Sequence, residues 1–278
     1  LLKKKIIFKT EGDTEVFLKL YEVYGINFLR DKGIDSLYSI AIYDKKLNKI
    51  YISRDWPGRI PIYYYLEKGK FIFSSELKAF KAIDNLSLQD PIELQPGKII
   101  CYDIHKDELN EISNYDLQPY ISKNSDDLLK LGEEMHKILD QSAKNRTMGD
   151  VPICTMLSGG IDSVLTTYYV LKNIDFNKVK YQPTSYVFRV KGFDSIDVKT
   201  AQEATKGFQE IGLKLKVIEA EEDQIVKDMP NIVEAFEMRQ LKALSFYPLP
   251  IYWYLAPEMH KDGFKVTIGG HGVDELLG

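Results

Sequence analysis

The 278-residue chain sets 37 Lys and Arg against 41 Asp and Glu, a net charge of −4, with 44% hydrophobic and 28% charged residues. Such a length suits two domains rather than one core, and the acidic balance argues against a general nucleic-acid binder. No apolar run is as long as a membrane-spanning helix and Leu1-Leu2-Lys3-Lys4-Lys5 lacks the apolar core of a signal peptide, so a cytoplasmic protein is expected.

In chain order, Asp13 is placed as the N-cap of a helix over 14–24, whose one face carries Val16, Phe17, Leu20, Tyr21 and Tyr24. Strand patterns follow at 37–43, 50–53, 60–65 and 71–74, the first two joined by a polar stretch suited to a hairpin. Arg54 and Asp55, at a strand end, read as an internal ion pair. Gln95-Pro96-Gly97 is a turn before a strand at 98–102. This half is antiparallel β with a few helices. The pattern turns polar at 120–125, which puts a boundary at 118–124 and domains at 1–118 and 119–278. A helix then carries Leu128, Leu131, Met135, Ile138 and Leu139 on one stripe.

From there strands (151–157, 184–190, 214–219, 264–268) alternate with helices (163–172, 197–211 and several across 221–260), the signature of βαβ units around a parallel sheet. In such sheets ligands sit beyond the carboxyl ends of strands, where both Gly-rich loops fall. In the first, Ser158 and Ser163 offer hydroxyls, Gly159 and Gly160 allow close backbone approach, and the helix that follows adds its positive end, all suited to phosphate. Asp162 suits Mg²⁺ against the same phosphates. No Walker lysine is present. Cys101 and Cys154 read as buried thiols, and the four histidines (His105, His136, His260 and His271) lack zinc or iron spacing. Tyr252, Trp253 and Tyr254 admit stacking on a base, but their helical spacing favours core packing.

Residues 157–163, Leu-Ser-Gly-Gly-Ile-Asp-Ser, resemble the Ser-Gly-Gly-x-Asp-Ser loop of ATP pyrophosphatases. The stretch from Arg146 to Ser163 resembles the opening of the synthetase domain of glutamine-dependent asparagine synthetases, and residues 265–278 resemble that family's strand ending in a Ser-Gly-Glu-Gly-x-Asp-Glu loop. Gly12-Asp13-Thr14-Glu15-Val16, Ala41-Ile42-Tyr43-Asp44, Arg54-Asp55-Trp56-Pro57-Gly58, Pro61-Ile62-Tyr63-Tyr64 and Ser74-Ser75-Glu76-Leu77-Lys78-Ala79 resemble its glutaminase domain, in the same order.

The resemblance implies α+β and α/β domains: part of an amino-terminal-nucleophile (Ntn) hydrolase αββα sandwich, then a parallel-sheet ATP-pyrophosphatase domain of the PP-loop type. It implies an AMP-forming ligase in which a carboxylate attacks the α-phosphorus, pyrophosphate leaves and ammonia displaces AMP. The cofactors would be ATP and Mg²⁺. The partners would be small molecules (ATP, glutamine or ammonia, an amino-acid carboxylate, aspartate first), with no nucleic acid or membrane and a homodimer allowed.

Asp162 and Asp274 match the family's Mg²⁺ ligands, although Asp274 also suits a helix N-cap. Leu157, Phe188 and Gly270 match nucleotide contacts, joined by Ser158, Gly159, Gly160, Ser163 and Gly269; Phe188 also suits plain core. Asp13 matches the residue that holds the amino group of glutamine, a role compatible with N-capping.

Three departures stand out. Leu1 follows the point of the family's cysteine nucleophile and Asn-Gly-Glu glutamine site, and Gly278 precedes its catalytic lysine, so a chain incomplete at both ends is expected, without glutaminase activity as written. His271 stands where asparagine synthetases have glutamate, a position that also differs in β-lactam-forming relatives. It is either a general base towards the amine or a neutral loop residue. The segment 237–248, where the family selects its amino acid, fits the aspartate pattern poorly; Arg239 and Lys242 either hold a carboxylate or are solvated. The expectation is an asparagine synthetase-type amidotransferase, with an amide or lactam ligase for another substrate and a non-catalytic nucleotide-binding remnant as rivals.

Overall fold

The computed structural model describes residues 6–31, 33–87, 90–113, 128–176, 178, 180–237 and 248–271. Asp274, Arg239, Lys242 and the expected boundary at 118–124 lie outside the described residues. The chain forms two compact units, Leu1–Lys123 and Asn124–Gly278.

In the first unit, α1 (Asp13–Tyr24) and the single turn α2 (Phe28–Asp31) precede β1 (Ser39–Asp44), β2 (Lys49–Arg54), β3 (Tyr63–Glu67), β4 (Lys70–Ser74), β5 (Ile92–Glu93), β6 (Ile99–Asp103) and β7 (Glu108–Ser113). These strands make two antiparallel sheets, ordered β1-β2-β6-β7 and β4-β3-β5. The β1–β2 hairpin closes through Asp44, whose Oδ1 accepts the N–H groups of Lys46 at 2.8 Å and Leu47 at 3.0 Å, and Asn48 takes the left-handed turn conformation at φ 51°.

Strand alternation builds the layers. Ile50, Ile52, Ile100 and Leu109 of the first sheet meet Tyr64, Phe71 and Phe73 of the second in one core. On the opposite face of the first sheet, Ile40, Ile42 and Ile99 pack under Phe17, Leu20, Tyr21 and Tyr24 of α1 and Phe28 of α2. Val16, expected on that face, is 38% exposed. On the outer face of the second sheet, Tyr63, Tyr65 and Ile72 pack against Leu77 and Phe80 of a short 3₁₀ segment. The result is helix, sheet, sheet and short helical segment in succession.

The second unit runs α3 (Leu128–Arg146), β8 (Ile153–Met156), α4 (Ile161–Asn173), β9 (Thr184–Val190), α5 (Ile196–Thr205), β10 (Lys214–Ala220), α6 (Glu222–Phe236), α7 (Leu249–Lys261) and β11 (Val266–Ile268). The expected helix over 197–211 is two pieces: α5 gives way to a 3₁₀ stretch, Lys206–Ile211, closed by Gly212 at φ 71°. The sheet is parallel and ordered β10-β9-β8-β11. Side chains from α4 and α5, among them Val170, Leu171, Val198 and Ala201, pack one face with Ile153, Leu157 and Val187. Leu255 and Met259 of α7 pack the other with Cys154, Tyr186 and Phe264. The order reverses at β8, with β9 and β10 to one side and β11 to the other, so the crevice above β8 and β11 is the topological switch point.

Helix α3 docks on α4 by a polar seam: His136 Nδ1 lies 2.7 Å from the Tyr169 hydroxyl, and Asp140 takes Lys172 at 2.8 Å and Asn173 at 3.1 Å. Of its apolar stripe, Ile138 is 68% and Leu131 38% exposed, whereas Leu139 is half-buried. Both cysteines are free and buried, as expected, and burial pushes the Cys154 thiol up to about 11.

Candidate active site

The first Gly-rich loop leaves β8 at Leu157, a fully buried residue whose N–H donates to the Tyr186 carbonyl at 2.9 Å. Its side chain belongs to the core, so what Leu157 leaves to a nucleotide is backbone. Gly159 turns at φ 84°, a conformation that L side chains rarely adopt, and a Cβ there would lie 2.3 Å from the Thr200 carbonyl carbon. Gly160 is the N-cap of α4 and, having no side chain, leaves the first-turn N–H groups uncapped. Uncapped amides together with the positive end of a helix dipole are groups that suit an anion.

Ser163, expected to offer its hydroxyl to a phosphate, uses it inside the loop. Its Oγ accepts from the N–H groups of Ser158 (3.2 Å) and Gly159 (3.1 Å), lies 3.2 Å from Ser158 Oγ and donates to the Gly160 carbonyl at 2.9 Å. One hydroxyl has one proton and two lone pairs, so this set saturates it. Ser163 is the loop's internal brace. Asp162 differs: it is half-buried in the first turn of α4, and no hydrogen bond or ion pair engages its carboxylate among the described residues.

The second loop, Gly269-Gly270-His271, leaves β11 beside the first. A Cβ on Gly270 would fall 2.8 Å from the Asp162 carbonyl carbon and 2.9 Å from the Ser163 nitrogen, so glycine is what lets the two backbones meet. A Cβ on Gly269 would strike the flexible end of Met156 at 2.5 Å. His271 is exposed, and its ring meets Tyr252 of α7 edge-on, with centroids 5.6 Å apart. Phe188, near the end of β9, lies parallel to Tyr254 at a centroid separation of 5.6 Å, so one ring face is already covered. Tyr254 in turn donates to Asp228 of α6 at 2.7 Å, and burial together with that bond pushes its hydroxyl up to about 12. Tyr252 also touches Phe236. These tyrosines pack between β9, α6 and the second loop.

The structure thus brings Ser158, Gly159, Gly160, Asp162, Ser163, Gly269, Gly270 and His271 to one end of the sheet. Among the described residues no three His, Cys, Asp or Glu side chains gather as a metal site. Among the described residues of the two loops, Asp162 offers an unengaged carboxylate, a hard oxygen donor of the kind suited to Mg²⁺. Sequence reasoning missed Thr200 of α5, whose Oγ1 donates to the Ser158 carbonyl at 2.7 Å across 42 residues of chain, a separation at which no local pattern speaks.

In the first unit, Asp13 is not the N-cap of α1. Gly12 holds that position, Asp13 is the first helical residue and is exposed, and the helix start is tied back by Glu15, which accepts the N–H groups of Lys9 (2.9 Å) and Thr10 (2.6 Å). Those bonds hold the Glu15 carboxyl below its ordinary value. Arg54 and Asp55 do not pair with each other. Buried Arg54 donates to Glu93 at 2.7 Å and to the Leu94 carbonyl at 2.9 Å, whereas buried Asp55 binds Arg59 at 3.0 Å. Successive residues leave a strand on opposite sides, which separates the two.

A glutamine amidotransferase domain profile matches residues 1–95 and an asparagine synthase profile matches residues 134–278. A Methanocaldococcus jannaschii protein assigned to the glutamine-hydrolysing asparagine synthetases is 31% identical across 100% of this chain and 56% of its own length. Asparagine synthetase B (glutamine-hydrolysing) of Escherichia coli is 28% identical across 98% of this chain and 48% of its own. The chain therefore spans about half the length of the curated relatives it matches. Of solved structures, the glutamine-dependent NAD+ synthetase of Acinetobacter baumannii in complex with ADP aligns with 64% of this chain and 31% of its own at 18% identity, and its TM-score of 0.35 is too low to bear on fold or reaction. The synthase profile alone takes in more than half of the residues, and the chain belongs to the asparagine synthase family.

Proposed function

We propose that this chain carries the nucleotide site of a glutamine-dependent asparagine synthetase, which activates the side-chain carboxylate of aspartate as an acyl-adenylate and converts it to the amide with ammonia from glutamine. The observation that carries the reading is the backbone contact of the two Gly-rich loops above β8 and β11, which sets the uncapped amides of α4 and the Asp162 carboxylate, engaged by no described residue, at one switch point.

In this reading the α4 amides and Gly159, Gly160, Gly269 and Gly270 receive the nucleotide, with Ser158 Oγ close by and Leu157 and Phe188 bordering it. Asp162, with Asp274, would hold Mg²⁺, which neutralises phosphate charge when bound. Positioning supplies most of the rate, because attack on the α-phosphorus needs alignment and charge compensation rather than a covalent partner. His271 stands at the open side of the second loop, where a neutral imidazole would take a proton from the attacking amine. The layered first unit is part of an Ntn-type glutaminase, in which Asp13 holds the amino group of glutamine by charge-assisted hydrogen bonds.

Amide-labelled glutamine tests the reading in the natural-length protein. Labelled asparagine formed together with AMP and pyrophosphate is the expected result. Label transferred only to another carboxylate substrate would assign the site to an amide ligase for that acid, and AMP and pyrophosphate formed from an amino acid without label transfer would assign it to a lactam ligase.

A further inference from the structure

The Ser158–Gly159 peptide unit is held at both ends by hydroxyls from two helices. Its carbonyl accepts from Thr200 Oγ1 of α5 at 2.7 Å, and its N–H donates to Ser163 Oγ of α4 at 3.1 Å. Helix α5 also presses on it directly, since a Cβ on Gly159 would lie 2.3 Å from the Thr200 carbonyl carbon and 2.6 Å from the Ala201 nitrogen. Within α5 the same Thr200 hydroxyl sits 2.9 Å from the Ile196 carbonyl and 3.2 Å from that of Asp197. Threonine in a helix ordinarily bonds to such carbonyls; the Ser158 contact is the shortest of the three.

A glycine at positive φ is free to flip the peptide beside it. Here a flip would turn the Ser158 carbonyl towards the first turn of α4. An acceptor oxygen at that place repels an anion and consumes the amides that attract one.

We propose that Thr200 is a positioning residue for the phosphate loop: its hydroxyl, opposed by Ser163, locks the Ser158–Gly159 peptide with the carbonyl turned away from α4, so that the loop receives ATP without a peptide flip. The inference rests on the ATP reading above. It makes α5 part of the site although its first turn carries none of the expected ligand residues.

The test compares Thr200→Val, which keeps the shape and loses the hydroxyl, with Thr200→Ser, which keeps the hydroxyl. Two quantities are measured: Mg²⁺-ATP affinity by calorimetry, and hydrogen exchange of the Gly159 amide in the nucleotide-free protein. Loss of one neutral hydrogen bond is expected to weaken ATP binding and speed Gly159 exchange in Thr200→Val by about three- to tenfold each. Thr200→Ser is expected to stay within about twofold of the parent, and thermal midpoints should be nearly unchanged because Thr200 is exposed.

Parent-like values for Thr200→Val in both measurements would overturn the proposal. So would weakened ATP binding with unchanged Gly159 exchange, which would make Thr200 a direct contact, or a Thr200→Ser variant as impaired as Thr200→Val. A parent protein that binds no Mg²⁺-ATP would refute the proposed function instead, and the exchange comparison would still decide the role of Thr200.

Discussion

At the scale of single residues, the proposed function is tested most sharply at Asp162 and Gly270. No described residue engages the Asp162 carboxylate, so Asp162→Asn keeps the shape and removes the charge. The variant is expected to fold as the parent does and to lose Mg²⁺-dependent pyrophosphate release; parent-like release would remove Asp162 from the mechanism. Gly270→Ala acts sterically, because the new methyl would meet the backbone of Asp162 and Ser163 at 2.8 and 2.9 Å. Overpacking of this kind costs about 1–3 kcal/mol, and a fall in ATP affinity of about tenfold is expected by calorimetry. Unaltered affinity would show that the loops separate freely. The loop residues were legible because Ser-Gly-Gly-x-Asp-Ser has a fixed local shape between a strand and a helix. Saturation of Ser163 by its own loop was not, since the motif names the hydroxyl without its partners. The same holds for Arg54 and Asp55, whose charges pointed to burial but whose partners, Glu93 and Arg59, only the turns between strands bring near.

Among the elements, strands were read more faithfully than helix faces. The stretch 184–190 is a strand over its full expected length, because a β-branched and aromatic run between turns has few other fates. The stripe on α3 misled for the opposite reason: period 3.6 shows which residues share a face but not which face docks, and α3 meets α4 through His136 and Asp140. A second polar tie joins elements of the synthetase sheet. Asp262, at the end of α7, binds Lys216 of β10 at 2.5 Å and accepts from the Tyr186 hydroxyl of β9, bonds that hold its carboxyl below the ordinary 3.8. A depressed carboxyl stabilises the fold fully above its unfolded value and less as pH falls through the folded one. Stability measured by denaturant is therefore expected to decline below about pH 4 in the parent and less steeply in Asp262→Asn. Equal slopes would show that the tie does not form in solution.

The whole molecule divides its labour between two units of different design, a layered antiparallel unit and a parallel sheet with a switch point. The change from antiparallel alternation to strands alternating with helices was legible in the sequence, whereas the boundary expected at 118–124 lies outside the described residues. The acyl substrate was not legible, because the residues expected to select it are neither patterned like the aspartate site nor within the described part of the chain. Among the described residues no helix is long and apolar enough to cross a membrane.

The measurement that bears most directly on the account is ATP–pyrophosphate exchange by the natural-length protein with Mg²⁺ and a panel of amino-acid carboxylates. Exchange stimulated by aspartate is the expected result, since adenylation of the carboxylate is the step that the two loops would serve in the proposed function. Folded protein that binds Mg²⁺-ATP yet exchanges pyrophosphate with no carboxylate would contradict it.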